Sequence, residues 1–175
     1  MSVKDRAISY EDIASIPEGY EVIEGKLKEL APAGGEHGYF EQKVSRKIDE
    51  KFESSGYVLV GEVGIVISRD PLTVRAADIV YVSRDRLKSV PKGMLEVPPD
   101  LVVEIISPSN TFEEVEEKVA DYLNFGVGRV LLIDPNAKKV TLINEDRKIE
   151  IKNFDEEVEI LPELKVRMSD LGGSE

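Results

Sequence analysis

The segment Leu101-Val-Val-Glu-Ile-Ile106 constrains the fold more than any other stretch. Pro98-Pro-Asp100 introduces it, and an almost continuous apolar run of strand length suits a central strand buried on both faces. Such a strand needs a covering layer on each side. Arg129–Ile133 is a second run of this kind, stopped by Asp134-Pro135. Between the two, a helix is predicted from about Thr111 to Phe125, ending at Gly126. Upstream, Phe40, Val44, Ile48 and Phe52 recur every four residues. They predict a helix starting near Glu36, with Gly56 as its C-terminal cap.

Two more strands are predicted between those helices. Tyr57–Ile67 is rich in Val and Ile, with Gly61 and Gly64 marking a bend or bulge, and Thr73–Ser83 follows the turn Arg69-Asp-Pro-Leu72. Tyr20–Glu24 and Lys26–Leu30 read as a hairpin about Gly25, preceded by a short helix that opens at the capping box Ser9–Asp12. Lys139–Asn144 and Lys148–Lys152 form a second predicted hairpin. The acidic tail ends in Gly172-Gly-Ser-Glu175, where fraying is expected. The predicted class is α/β in the α+β sense: a central mixed sheet flanked by helices, with β-rich additions at both ends.

Composition narrows the chemistry. Among 175 residues, 23 are Lys or Arg and 35 are Asp or Glu, a formal charge of −12. That argues against nucleic-acid binding through overall charge but leaves room for a local basic groove. With no cysteine and one histidine, His37, disulfides, thiol catalysis and zinc sites of the Cys or multi-His type are excluded. No apolar run spans a membrane and no signal segment is visible, so the expectation is a cytoplasmic protein with no membrane association.

The informative residues are charges in strands that should be buried. Glu104 interrupts the central run, and Asp78 precedes Ile79-Val-Tyr-Val82. A buried carboxylate needs a cation, a metal or donors. On neighbouring strands the two could share one hard cation; alternatively each sits at a strand end and reaches water. On a wheel with Val115 at the origin, Val119, Tyr122, Phe112 and Leu123 fall within about 80° and face the sheet, and Lys118 lies on the border near about −60°. Glu113, Glu114, Glu116, Glu117 and Asp121 fall on the solvent side. Lys118 is thus either a snorkelling lysine or a cation brought to the core edge. His37, at a helix start after a Gly-rich loop, is either a surface histidine or a substrate contact. Either Glu21 or Glu24 must face inward, and Glu62 stands in a strand between glycines.

The ordered set Tyr20-Glu-Val-Ile-Glu-Gly25, His37-Gly38, Val74-Arg-Ala-Ala-Asp78, Pro99-Asp-Leu-Val-Val-Glu104-Ile-Ile-Ser-Pro-Ser109, Glu117-Lys-Val-Ala-Asp-Tyr122, Gly126-Val and Ile133-Asp-Pro135 resembles the Uma-type restriction endonucleases of the PD-(D/E)XK nuclease superfamily. The likeness runs from about Ile8 to Leu171. It implies one nuclease-like domain over residues 1–175, with a core of about 36–135 and a C-terminal β addition over 138–171. It implies Asp78 and Glu104 as the paired acids, with the Ile105 carbonyl as a further metal ligand. The superfamily's lysine two residues after the second acid is replaced here by Ile106, and the family's helical lysine maps to Lys118. Ala77 stands where the family has proline. Glu21 and His37 match recurrent family positions.

The resemblance implies a Mg²⁺- or Mn²⁺-dependent endodeoxyribonuclease acting on DNA. Asp78 and Glu104 would hold the metal, Lys118 would serve the transition state, and Glu21, His37 or Glu62 would contact the nucleophile or a second metal. A homodimer is expected, because double-strand cutting needs two sites. Lys43, Arg46, Lys47 and Lys51, and Arg84, Arg86, Lys88 and Lys92, are candidates for a basic DNA surface or are ordinary solubilising charges. Residues 145–163, rich in acids, should lie away from any DNA groove. The alternative is a non-catalytic nuclease-fold module used for protein interaction or weak nucleic-acid binding.

Overall fold

A computed structural model describes residues 6–172. The predicted capping box is present: the Ser9 N–H donates to Asp12 at 2.9 Å, opening a 3-10 helix over Tyr10–Ser15. Strands β1 (Tyr20–Ile23) and β2 (Lys26–Glu29) form the first hairpin, and helix α1 spans Gly35–Phe52. Strands β3 (Gly56–Arg69) and β4 (Leu72–Ser83) follow, then β5 (Leu101–Ile105), helix α2 (Phe112–Phe125) and β6 (Arg129–Asp134). Strands β7 (Lys139–Asn144) and β8 (Ile149–Asn153) form a further hairpin, and β9 (Val158–Leu161) pairs with β10 (Leu164–Val166) in a separate small sheet.

The main sheet is mixed. Its order is β2-β1-β4-β5-β6-β7-β8, with β3 on the other edge of β4; β5 and β6 are parallel and joined by α2. All five residues of β5 are buried, as an apolar run demands. One face packs under α1 through Phe40, Val44 and Ile48, together with Val158, Ile160, Val166, Met168 and Leu171 from the tail. The acidic C-terminal stretch therefore contributes its alternating apolar residues to the core. The other face packs under α2 through Tyr122, Val102, Val130 and Ile143. The expected fraying of the last residues falls on 173–175, outside the described residues.

Two local expectations are corrected. Gly56 does not cap α1, which stops at Glu53; it opens β3, where a Cβ would lie 2.4 Å from the Tyr81 ring, so the close approach requires glycine there. Phe112 does not face the sheet: as the first residue of α2 it overhangs the core and is 83% exposed. By contrast Gly126 ends α2 at φ 105, the left-handed conformation that glycine adopts without a Cβ clash. The expected bulge in β3 lies between Val60 and Val63, at Gly61-Glu62.

The feature that positions the site is a fork in the sheet. One edge of β4 is taken along its length by β3. The other edge is shared: β1 pairs with it at Val74, and β5 pairs with it at Ile79–Tyr81. Between these lies Arg75-Ala-Ala-Asp78, whose backbone on that side has no strand partner and must be satisfied by side chains.

Candidate active site

Side chains fill the fork. Glu21, brought in by β1, accepts from the Ala76 N–H at 2.9 Å, and Lys118, brought in by α2, donates to the Ala76 carbonyl at 2.7 Å. The β4–β5 ladder ends at Ile79↔Val103. Beyond it, the Ile105 N–H donates to Asp78 Oδ2 at 2.7 Å. Ile106 instead donates to Ile133 O on β6. The Ile105 peptide edge therefore faces Asp78, and in an extended strand its carbonyl shares that edge.

Asp78 and Glu104 are the residues just past the last rung, and both open on one cleft together with His37, Glu41, Glu62 and Lys118. His37, from the start of α1, places Nε2 3.1 Å from Asp78 Oδ2. Its Nδ1 is buried without a hydrogen-bond partner, 3.8 Å from Glu41. Glu104 accepts from the Tyr122 hydroxyl at 2.5 Å, and Lys118 Nζ lies 3.1 Å from each of its oxygens. Lys118 also lies 3.1 Å from Glu21 Oε1, and Glu21 Oε2 accepts from Arg75 at 3.2 Å. Arg75 in turn donates to Asp121 at 2.7 Å. The result is a chain of alternating charge, Asp121–Arg75–Glu21–Lys118–Glu104, through a largely buried region.

The electrostatics follow from burial and from these partners. Burial, reinforced by Asp78, outweighs the attraction of Lys118 and pushes Glu104 up to about 7. Burial opposes the charge on Lys118 too, but Glu104 and Glu21 outweigh it and raise it to about 12. For Glu21, burial is overcome by Lys118, the Ala76 N–H and Arg75, and its pKa falls below the usual carboxylate range. The hydrogen bond to Asp78 raises His37 despite burial, favouring imidazolium. Tyr122, buried against Glu104, is raised and stays a hydroxyl donor.

Of the sequence candidates, Glu21, His37, Asp78, Glu104, Lys118 and the Ile105 backbone converge on the fork. Glu62 lines the same cleft but is exposed at a positive φ of 55. Glu24 is exposed, which resolves the Glu21/Glu24 alternative. Three residues went unforeseen: the Tyr122 hydroxyl, Arg75 and Glu41. Their signals are a lone cation in a buried strand and carboxyl or hydroxyl groups one helical turn after His37 and Lys118. Asp121, placed with the solvent-facing acids by the wheel, is reached by Arg75 instead.

The basic candidates do not frame the cleft. Lys47 and Lys51 line a separate cavity of about 380 Å³ with Lys165 and Arg167. Arg84 stacks on Tyr57 and bonds Ser54, and Arg86 ties Pro98, Pro99 and Asp100, beyond the opposite end of β5. A second cavity, of about 250 Å³, meets the first at Glu104 and Lys118 and is lined by Lys28, Asn110, Glu114 and Val115 among others. None of residues 145–163 lines either of the two cavities at the fork.

A mixed sheet flanked by helices, with two acids at a splayed strand pair, is the architecture of a PD-(D/E)XK nuclease fold. The chain belongs to the Uma2 family, described as "Putative restriction endonuclease", which it matches over residues 9–169. In structure it is similar to a "putative nuclease" from Anabaena variabilis ATCC 29413, with a TM-score of 0.80 and 21% identity over 94% of this chain and 97% of that one. At that identity the likeness establishes the fold. No curated protein matches it in sequence. Among the described residues, no helix is long and apolar enough to cross a membrane.

Proposed function

We propose that this chain is a metal-dependent endonuclease that hydrolyses DNA phosphodiesters at the β4–β5 fork. The observation that carries the proposal is the convergence of Asp78, Glu104 and Lys118 where the ladder ends, with Lys118 Nζ 3.1 Å from Glu104. The donor set suits a small hard cation: two carboxylates and a peptide carbonyl are oxygen ligands, and Mg²⁺ keeps several waters rather than demanding a full protein cage. Among the described residues, no group of three or more His, Cys, Asp or Glu is gathered to hold a metal ion. Asp78, Glu104 and the Ile105 carbonyl would hold the ion, Mg²⁺ or Mn²⁺. When bound, such an ion polarises the scissile phosphate and eases deprotonation of the attacking water.

The protein's own groups have separate tasks. Lys118, held charged between Glu21 and Glu104, is preorganised to stabilise negative charge building on the phosphate. Glu21 and Arg75 fix that ammonium in place. Tyr122 orients Glu104. His37, whose hydrogen bond to Asp78 favours the imidazolium, acts as a donor that orients Asp78. Plasmid cleavage with Mg²⁺ or Mn²⁺ tests the reading, wild type beside Asp78→Ala. Wild type should cut only with metal, and the variant should neither cut nor bind Mn²⁺. Cleavage by the variant at the wild-type rate refutes the site. A wild type that binds no Mn²⁺ and cuts nothing favours the non-catalytic module.

A further inference from the structure

The main sheet ends at β8, and no described residue pairs with its outer edge. Edge strands are usually blunted by charge, proline or a bulge, because an open apolar edge recruits another strand. Here Ile149 and Ile151 stand on one face of β8 at 65% and 63% exposed. Their cross-strand neighbours on β7 are Ile143 and Thr141, so the apolar stripe under α2 runs out to the edge and stops uncovered. Phe154 N–H donates to Lys138 and Asn144 N–H donates to Lys148 O. In the antiparallel β7–β8 register those are the hydrogen-bonded rungs, so Lys148, Glu150 and Lys152 turn their peptide groups inward to β7. Ile149, Ile151 and Asn153 therefore turn theirs outward. The Asn153 N–H is already taken by the Glu156 carboxylate at 2.8 Å and its carbonyl accepts from the Glu156 N–H at 3.1 Å, which closes that end.

We propose that β8 is a self-pairing edge that takes a second copy of this chain, antiparallel, about a twofold axis at Ile151. The register follows from the sequence Ile149-Glu-Ile-Lys-Asn153. Outward-facing peptides must meet outward-facing peptides, which leaves a small set of registers. Shifting the axis toward Glu150 sets Glu150 against its own copy, and shifting it toward Lys152 sets Lys152 against its copy; like charges directly opposite are unfavourable. Centring on Ile151 sets each Glu150 opposite the partner's Lys152, twice, at the rungs without backbone bonds, where side chains approach most closely. The same register puts Ile151 against its copy, where the two outward-facing peptides exchange both backbone hydrogen bonds. On the opposite face the charges need only exchange partners, since Glu150 and Lys152 already lie 3.3 Å apart within one strand. The four isoleucines would then cover one another over Thr141 and Ile143. The surface is isologous, as a closed dimer requires, and it is independent of the chemistry at the fork.

Sedimentation velocity over a concentration series tests this with the full chain. Wild type should show a monomer–dimer equilibrium, and Glu150→Lys and Lys152→Glu should each weaken it by roughly tenfold, because two pairs become like-charged together. The double variant Glu150→Lys/Lys152→Glu should regain the wild-type constant, and an equimolar mixture of the two single variants should form a mixed dimer. The residues are surface charges, so both variants fold. A wild type that stays monomeric throughout, a dimer indifferent to both single changes, or a double variant as weak as the singles overturns the proposal.

Discussion

Glu104 lies 8% exposed between Lys118 and Tyr122, and its ionisation should act against the metal-free fold. The perturbation that isolates this is Glu104→Gln, which keeps the shape and removes the titration. In the unfolded chain a glutamate titrates near 4.5, and in the native fold Glu104 titrates at about 7. A pKa raised on folding gives stability that is fully present below the unfolded value and is lost as pH rises through the folded one. The interval from 4.5 to about 7 corresponds to ~3 kcal/mol, most of which falls between pH 5 and pH 8. Urea unfolding in EDTA reads it directly: the wild type should lose ~2–3 kcal/mol more than the variant over that range. Any pH-independent cost of placing an amide beside Lys118 cancels in this difference, and Glu21, 3.1 Å from the ammonium, still pairs with it in the variant. Saturating Mg²⁺ should then restore the wild type at pH 8, by ~2.7 kcal/mol at a hundred times Kd, and leave the variant unmoved. Parallel pH dependences for the two proteins would refute the account of Glu104 as a carboxylate held ionised at a cost until a cation arrives.

Three further outcomes follow from the same geometry. Tyr122→Phe removes the donor that favours ionised Glu104, so half-binding of Mn²⁺ should move to higher pH, with a stability loss of ~1–2 kcal/mol in chemical denaturation. Lys118→Met should lower any cleavage rate by ~100-fold or more while Mn²⁺ still binds; because it also removes the cation between Glu21 and Glu104 and leaves Glu104 with no cationic partner, the melting temperature should fall at pH 8 far more than at pH 5. The cations lining the two cavities are Lys28, His37, Arg75 and Lys118, and each is paired with a carboxylate: Lys28 with Glu114, His37 with Asp78, Arg75 with Glu21 and Asp121, and Lys118 with Glu21 and Glu104. Filter binding of DNA in Ca²⁺ should therefore weaken with salt at a slope no steeper than about −2 in log–log form, at most roughly tenfold between 50 and 200 mM.

The sheet and the paired acids are legible in the sequence because burial leaves a simple imprint. A carboxylate inside Leu101–Ile106 has few structural excuses, and a lysine on the border of an amphipathic helix has a limited reach. What is not legible depends on where the chain's ends and edges meet. Alternation within β1 allows either Glu21 or Glu24 to point inward; the choice is made by the single rung Val22↔Val74, which sets Glu21 over the unpaired Ala76 N–H. A wheel assigns Asp121 to water but knows nothing of Arg75, whose side chain crosses from β4 to meet it. Clusters of lysine and arginine look alike in one dimension, and only the antiparallel run of β4 against β5 places Arg84 and Arg86 at the end of the sheet away from Glu104. The self-pairing of β8 is likewise invisible until the β7 register says which peptides face outward.

The position of the lysine brings these threads to one further test. Glu104 and Ile106 lie two residues apart at the end of β5 and face the same cavity, which Lys118 enters from α2. A lysine at position 106 would reach Glu104 from the strand, whereas Lys118 reaches it from the helix. What the transition state senses is the location of the ammonium, not the element that carries it. Placing it on α2 adds two anchors, the Ala76 carbonyl and Glu21, which hold the charge at the fork even without metal. Ile106→Lys in the Lys118→Met background should therefore recover part of the lost cleavage, while Glu21 and Ala76, deprived of their partner, leave the recovery incomplete. Adding Glu21→Gln to that pair should cost little more activity, since Glu21 would no longer have an ammonium to hold, whereas Glu21→Gln alone should impair the wild type. A strand lysine that restores nothing, with metal binding intact, would show that Lys118 acts through its anchors on β4 and β1 rather than through its charge beside Glu104.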